Sequence, residues 1–143
     1  MLYGLEAGKY RLALKTPKDQ IINIEYTRDK SKKKAAYKKS KAINLKSDID
    51  SIYTSTEKAA RWYKASVSST KKRKAVTLSK DSVGGGFKFC VYQKGKRLKT
   101  VKVTKNDKVK TVKLPKKKGA YYVKVTKLTS KTTGAYYLGT YTY

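Results

Sequence analysis

The sequence predicts an all-β fold, an antiparallel β-sandwich of roughly eight strands in a jelly-roll-like arrangement with an additional N-terminal hairpin. Three observations support this prediction. Apolar and polar residues alternate with a period of two, turn residues separate the alternating segments, and tyrosine supplies most of the aromatic side chains. The chain has 13 tyrosines against two phenylalanines and one tryptophan. Tyrosine suits a strand because its ring packs while its hydroxyl reaches water.

The alternation defines the strands of the main domain one after another. The first two are expected at residues 42–45 and 49–53. In the later strands, lysine and other polar residues separate the apolar ones, as in antiparallel strands with one face in water. The expected inward positions are Tyr63, Ala65, Val67, Val76, Leu78, Phe87, Phe89, Val91, Val101, Val103, Val112, Leu114, Tyr121, Val123 and Val125. The expected turns include Gly84 to Gly86, Lys94 to Lys96, Asn106-Asp107, Lys116 to Gly119 and Thr129 to Gly134.

The two ends of the chain resemble each other, which bears on the domain organisation. The N-terminal pattern is Gly8, Tyr10, Leu12 and Leu14, and its C-terminal counterpart is Gly119, Tyr121, Val123 and Val125. Residues 1–27 are therefore predicted to be the closing hairpin of a preceding repeat, although two amphipathic hairpins also resemble each other by chance. Residues 28–41, rich in lysine and serine, are predicted to be a basic linker or edge, and residues 42–143 form the sandwich.

The charge is the most unusual property of the sequence. There are 37 basic and nine acidic residues, which gives a net charge of +28. Only five of the basic residues are arginine, the side chain that binds phosphates and bases through two parallel hydrogen bonds. Lysine is a hydrated point charge, so this bias favours diffuse attraction to anionic polymers over sequence-specific recognition. The alternative is that the lysines serve only solubility and the protection of exposed strand edges.

Three clusters of basic residues fall at predicted turns and form the candidate polyanion-binding site. They comprise Lys71, Lys72, Arg73 and Lys74, then Lys94, Lys96 and Arg97, then Lys116, Lys117 and Lys118. Three aromatic residues, Trp62, Tyr122 and Tyr136, lie off the expected inward register. Aromatic rings among basic residues are able to stack on sugars or bases, although a core role is the more common one for such residues.

The residues needed for catalysis are sparse, so we expect no enzymatic activity, no metal and no cofactor. There is no histidine, which removes the commonest general base and most zinc sites. The single cysteine, Cys90, forms no intrachain disulfide and is expected to fill space. Many lysines surround Asp48 and Asp50, which should lower the carboxyl pKa values, the wrong direction for a general acid. No apolar run approaches the roughly 20 residues of a membrane span.

The order of several motifs in residues 42–143 resembles the bacterial pre-peptidase C-terminal domain. The motifs are Ile43-Asn44-Leu45 with Ile49-Asp50-Ser51, Arg61-Trp62-Tyr63-Lys64-Ala65-Ser66-Val67, Val91-Tyr92-Gln93-Lys94-Gly95-Lys96, and Gly119-Ala120-Tyr121-Tyr122-Val123-Lys124-Val125 with Gly134-Ala135-Tyr136-Tyr137-Leu138. The resemblance implies a β-sandwich appended to a secreted or surface-attached bacterial protein. Some members of that family bind calcium, a cation that needs six to eight oxygen ligands, but Asp48, Asp50 and Glu57 are the only acidic residues near the start of this domain.

These observations favour a non-catalytic accessory module of a secreted or cell-surface bacterial protein. Its expected partners are anionic polymers, either polysaccharide or nucleic acid, such as wall teichoic acid, host glycosaminoglycan or extracellular DNA, together with neighbouring domains of a longer chain. Two alternatives remain open at this point. One is a structural spacer or an intramolecular chaperone beside a protease domain, and the other is an intracellular nucleic-acid-binding domain.

Overall fold

The computed structural model describes residues 35–45, 57–80 and 85–143, the backbone of residues 49–53, and the isolated positions 9, 11, 13, 15 and 18. These residues form nine strands and one turn of 3₁₀ helix at Lys39–Lys41. The strands are β1 (Ile43–Asn44), β2 (Ile49–Tyr53), β3 (Arg61–Val67), β4 (Lys74–Lys80), β5 (Phe87–Gln93), β6 (Lys96–Val103), β7 (Val109–Lys113), β8 (Gly119–Lys127) and β9 (Gly134–Thr142). No helix among the described residues is long and apolar enough to cross a membrane.

The strands form two sheets, which confirms the predicted β-sandwich. The five-stranded sheet has the order β1-β3-β8-β5-β6, and the four-stranded sheet has the order β2-β9-β4-β7. All neighbouring strands are antiparallel except the two-residue β1, which pairs with β3 in parallel. Only β5 and β6 are neighbours both in sequence and in a sheet, so nearly all pairing joins distant parts of the chain.

The core lies between the inner faces of the two sheets, and the predicted alternation decides which residues enter it. Of the predicted inward residues all are buried except Val101, which is half-buried and packs against the core. Lysine, threonine and serine occupy many of the intervening positions, where the sheets face water. Burial of these apolar side chains, each worth about 1.5–3 kcal/mol for the larger ones, is the main stabilising contribution.

The expectation that Tyr136 lies off the inward register is wrong. Its side chain is fully buried, and its neighbour Tyr137 is 40% exposed instead. The Tyr136 ring packs against Phe87 with 4.9 Å between ring centroids, and its hydroxyl forms a hydrogen bond with the hydroxyl of Tyr63. Because each buried hydroxyl has the other as a partner, the core accepts two tyrosines without an unsatisfied polar group.

Apart from the isolated positions 9, 11, 13, 15 and 18, the predicted hairpin at residues 1–27 lies outside the described residues, and so does most of the predicted linker. The part of the linker that is described, residues 35–41, packs beside β3. Ala36 is buried, and its carbonyl oxygen accepts a 2.8 Å hydrogen bond from the backbone N–H of Trp62. This contact places the 3₁₀ turn at Lys39–Lys41 over the edge of the five-stranded sheet.

Candidate binding surface

The three basic clusters lie in three separate connections between strands. Lys71, Lys72 and Arg73 connect β3 to β4, and Lys74 begins β4. Lys94 lies in the tight turn between β5 and β6, and Lys96 and Arg97 begin β6. The third cluster, residues 116–118, connects β7 to β8. All ten side chains are exposed except Lys74, which is half-buried.

The sheet order brings these three connections to one end of the sandwich. The last residue of β3 pairs with the first of β8, Val67 with Gly119, and the last residue of β5, Gln93, pairs with Tyr121 in the same strand. In the other sheet the N–H of Leu114, after β7, donates to the carbonyl of Lys74 at the start of β4. We call this end, defined by residues 68–74, 94–97 and 114–118, the basic end.

Hydrogen bonds from side chains to backbone carbonyls fix the shape of the basic end and leave most of its ammonium groups facing water. The Tyr121 hydroxyl donates to the carbonyl of Lys117 at 2.9 Å, and burial raises the pKa of this hydroxyl above its ordinary value. The Lys74 ammonium donates to the carbonyl of Ser66 at 2.7 Å. Between β5 and β6, Lys94 and Gly95 have φ values of 47° and 80°, a left-handed turn in which the glycine is unstrained.

The described acidic side chains lie at the opposite end of the sandwich, where each has a basic partner. Glu57 accepts hydrogen bonds from the Arg61 guanidinium at 2.6 and 2.9 Å, and both side chains are largely buried. Burial alone would lower the pKa of Arg61, but the hydrogen bond to Glu57 raises it above its ordinary value. Hydrogen bonds from Lys110 and Thr104 hold the pKa of the Asp107 carboxyl, at the surface, well below its usual range.

Because the carboxylates of Glu57 and Asp107 are already paired, few carboxylate oxygens among the described residues remain for a cation such as calcium. Glu57, one of the three acids considered for calcium, is bound to Arg61 instead. Asp48 lies outside the described residues, and only the backbone of Asp50 is described, in β2. The described residues contain no group of three or more metal-binding side chains.

Aromatic side chains lie together on the outer face of the five-stranded sheet. Trp62 and Tyr122 are half-buried there, and so is Tyr92, which the sequence alone did not mark as a candidate. The rings of Trp62 and Tyr92 have centroids 5.6 Å apart. Period-two alternation places Tyr92 outward, but only the strand order reveals that it lies two strands away from Trp62.

Lysine ammonium groups lie over two of these rings. The Nζ atom of Lys39 is 4.7 Å from the centroid of the Tyr122 ring, and that of Lys124 is 5.6 Å from the Trp62 ring. Both distances are within the range of cation–π attraction. We call the surface formed by Lys39, Trp62, Tyr92, Tyr122 and Lys124 the aromatic–lysine face.

Cys90 lies on the same face of the sheet but is only 6% exposed beneath its neighbours. Its sulfur atom is 3.3 Å from the Thr100 hydroxyl on the adjacent strand. The contact is compatible with the predicted space-filling role.

Gly85 and Gly86 lead into β5 at the end opposite the basic end, where the sequence predicted a turn or bulge; Gly84 lies outside the described residues. Gly85 has a φ of 115°, which only glycine adopts readily. A Cβ atom on Gly86 would lie 2.1 Å from the carbonyl oxygen of Val103. The backbone beside Gly86 therefore leaves no room for a side chain at this position.

Comparison with known proteins supports the fold but adds no sequence relative. No protein-family model matches the sequence, and no curated protein matches it either. Among solved structures, the fold is similar to the pre-peptidase C-terminal domain of a collagenase from Bacillus anthracis, with a TM-score of 0.53 and 18% sequence identity. The match covers 70% of this chain and 92% of that domain. The chain therefore has a pre-peptidase C-terminal-like fold, as the motifs of residues 42–143 predicted.

Proposed function

We propose that this domain is a non-catalytic accessory module of an exported protein and that it binds anionic polymers at its basic end. The observation that carries the proposal is the gathering of ten basic side chains at one end of the sandwich, while the described acidic side chains are paired at the other. No ion pair occurs among the described residues of the basic end. Its charge is therefore available to a partner.

Long-range attraction follows from this separation of charge. Unpaired charges of one sign raise the local concentration of oppositely charged polymers and speed their association, and salt weakens the effect. Lysine accounts for eight of the ten side chains at this end. Because an ammonium group makes no fixed bidentate contact, binding should depend on charge density more than on the chemical identity of the polymer.

The accessory role is supported by the fold. The collagenase domain with the similar fold is named as one domain of a larger enzyme. In a protein of that design, a polyanion-binding domain would hold the parent protein close to a charged matrix or wall polymer. We propose no activity of its own for this chain, which lacks histidine altogether.

Salt-dependent binding of two matched variants tests the proposal. The triple variant K71S/K72S/R73S removes three exposed cations from the basic end, and K105S/K108S/K131S removes three exposed cations from the other end. Affinity for heparin and for random-sequence duplex DNA is measured over a series of salt concentrations. On duplex DNA we expect the log–log salt slope to fall by about 0.9 for each phosphate that the first variant no longer neutralises, and to change less in the second.

Three results would contradict the proposal. Equal losses in the two triple variants would mean that net charge alone matters and that the basic end is not a site. A defined oligonucleotide bound about a thousandfold more tightly than random sequence would favour the nucleic-acid-binding alternative. If neither heparin nor DNA bound at physiological salt, the spacer alternative would replace it.

A further inference from the structure

The aromatic–lysine face is continuous with the basic end along two strands. Tyr92 is two residues before Lys94 in the turn, and Tyr122 is four residues after Lys118. The two tyrosines are paired across β5 and β8, so their side chains lie side by side on the outer face. A polymer held at the basic end therefore meets these rings as it extends over the sheet.

Contacts within the protein already hold the aromatic rings in position before any ligand binds. Trp62 contacts Tyr92, and the backbone N–H of Trp62 is bound to the carbonyl of Ala36. The same segment leads to the 3₁₀ turn that places Lys39 above Tyr122. Because the aromatic side chains are half-buried, their orientation is constrained while part of each ring remains open to solvent.

The charged side chains described on the aromatic–lysine face are all positive. Lys64 and Lys88 point outward from β3 and β5 beside the aromatic residues, and both are half-buried. No acidic side chain occurs on this face among the described residues. A ligand that fits must therefore combine an apolar surface, which stacks on the rings, with negative charge.

We propose that the aromatic–lysine face binds an acidic polysaccharide, a chain of uronic-acid or sulfated sugars whose rings stack on Trp62, Tyr92 and Tyr122. The inference rests on the proposed function and specifies its ligand. An acidic sugar carries its carboxylate or sulfate directly on the ring that stacks. The ammonium groups of Lys39 and Lys124 lie 4.7 and 5.6 Å from aromatic centroids, close enough to meet such a group when a sugar occupies the ring.

Binding exchanges one interaction of each lysine for another. Without ligand, the ammonium is attracted to the ring face; with ligand, the flexible stem moves the ammonium to the sugar's anion and the sugar covers the ring. In a single-stranded nucleic acid the phosphate is separated from the stacking base by the ribose. The displaced ammonium would have to reach further from the aromatic ring to meet the phosphate than to meet an anion carried on the stacked sugar, which is why we favour the acidic sugar.

The single tryptophan of the chain gives a direct measurement, because Trp62 is part of the proposed face. Its fluorescence is followed during titration with hyaluronan, which carries carboxylates only, with heparin, with neutral dextran and with oligo-dT, all at about 0.15 M salt, where the Debye length is about 8 Å. We expect hyaluronan and heparin to change the emission at saturation and dextran to leave it unchanged.

Matched variants separate stacking from charge. Y122T removes a ring from the aromatic–lysine face, and Y141T removes an exposed tyrosine ring from the outer face of the four-stranded sheet. We expect roughly tenfold weaker hyaluronan binding for Y122T, equivalent to about 1.4 kcal/mol, and little change for Y141T. K124Q should weaken hyaluronan binding more than K131Q, which removes the same charge elsewhere. Thermal unfolding checks that each variant is folded.

The outcomes distinguish this inference from the proposed function. If heparin is retained in a salt-dependent way but Trp62 emission is unchanged and Y122T binds as the wild type does, the inference is overturned and the basic end remains the site. If oligo-dT alone changes the emission and Y122T weakens only oligo-dT, the occupant is a nucleic acid and the inference is again overturned. If no polyanion is retained by the wild type, the proposed function itself fails.

Discussion

The two ends of the sandwich use charge in opposite ways. At the basic end, ten cations are carried on connections that leave most of them in water, without an ion pair among the described residues. At the other end, which we call the closed end, Glu57 is bound to Arg61, Asp107 is bound to Lys110 and Thr104, and Gly86 packs against the backbone of Val103. The closed end is defined by residues 57–61, 85–86, 104–108 and 129–134.

The difference separates charge that stabilises from charge that is available for binding. A buried pair such as Glu57 and Arg61 contributes to stability only while both members are present. Exposed lysines contribute little to stability, so their removal is tolerated, and their attraction for a polyanion is not offset by a neighbouring acid. We therefore expect substitutions of the paired or closely packed residues at the closed end to change stability, and substitutions of the exposed lysines at the basic end to change binding.

A pair of glycine substitutions gives the largest contrast in stability. In G86A, the new methyl group would lie 2.1 Å from a backbone oxygen and 2.8 Å from Leu128 Cδ1, so the backbone must move. We expect a loss of about 3 kcal/mol in the free energy of unfolding. In G95A, at the basic end, no atom lies within 4 Å of the new methyl group, and only the positive φ of 80° costs energy, about 1 kcal/mol. Denaturant unfolding measures both values, and equal losses would contradict the contrast.

Removal of the buried carboxylate should have the next largest effect. Breaking a fully buried ion pair costs about 3–5 kcal/mol, and because Glu57 keeps 14% of its exposure we expect E57Q to cost about 2 kcal/mol. The neighbouring substitution K58Q, at an exposed lysine, is the control and should cost almost nothing. Chemical denaturation compares the two variants with the wild type. A loss for E57Q no larger than that for K58Q would show that the pair does not stabilise the closed end.

The surface carboxylate of Asp107 should have the smallest effect, and it should depend on pH. Its pKa is lowered in the folded protein, so its stabilising contribution is present above the unfolded value of about 3.9 and is lost as the pH falls through the folded pKa. We expect D107N to reduce stability slightly at neutral pH and to remove part of the stability loss of the wild type below about pH 4. Thermal unfolding from pH 7 to pH 2 measures this. Parallel curves for D107N and wild type would contradict it.

The alternation of side chains made most of the fold predictable from the sequence. In β3, β5 and β8, lysine between apolar residues identifies the inner face without ambiguity. The pattern failed at β9 because Tyr136 and Tyr137 are adjacent and either one satisfies a period of two. What decides between them is the space beside Phe87 and a hydroxyl partner on Tyr63, both supplied by distant strands.

The arrangement of the candidate surface could not be read from local sequence. The basic clusters are recognisable as turns, but their meeting at one end depends on which strands are neighbours. The contact between Trp62 and Tyr92 has the same origin, because β8 separates the two strands that carry them. In the sequence, Arg61 is only the first residue of the motif that contains Trp62 and Tyr63. Its pairing with Glu57 depends on the path of the segment before β3, which local sequence does not reveal.

The strand order also has a consequence for how the domain folds. The central strands β8 and β9, which join the other strands of their sheets, are synthesised after the other seven described strands. Before they leave the ribosome, β3 lacks its partner β8, and β4 lacks β9 although β7 is present. Non-local pairing of this kind closes long loops and folds slowly, in roughly milliseconds to seconds. A nascent chain ending before β8 therefore cannot form either complete sheet, and folding must follow synthesis of this segment.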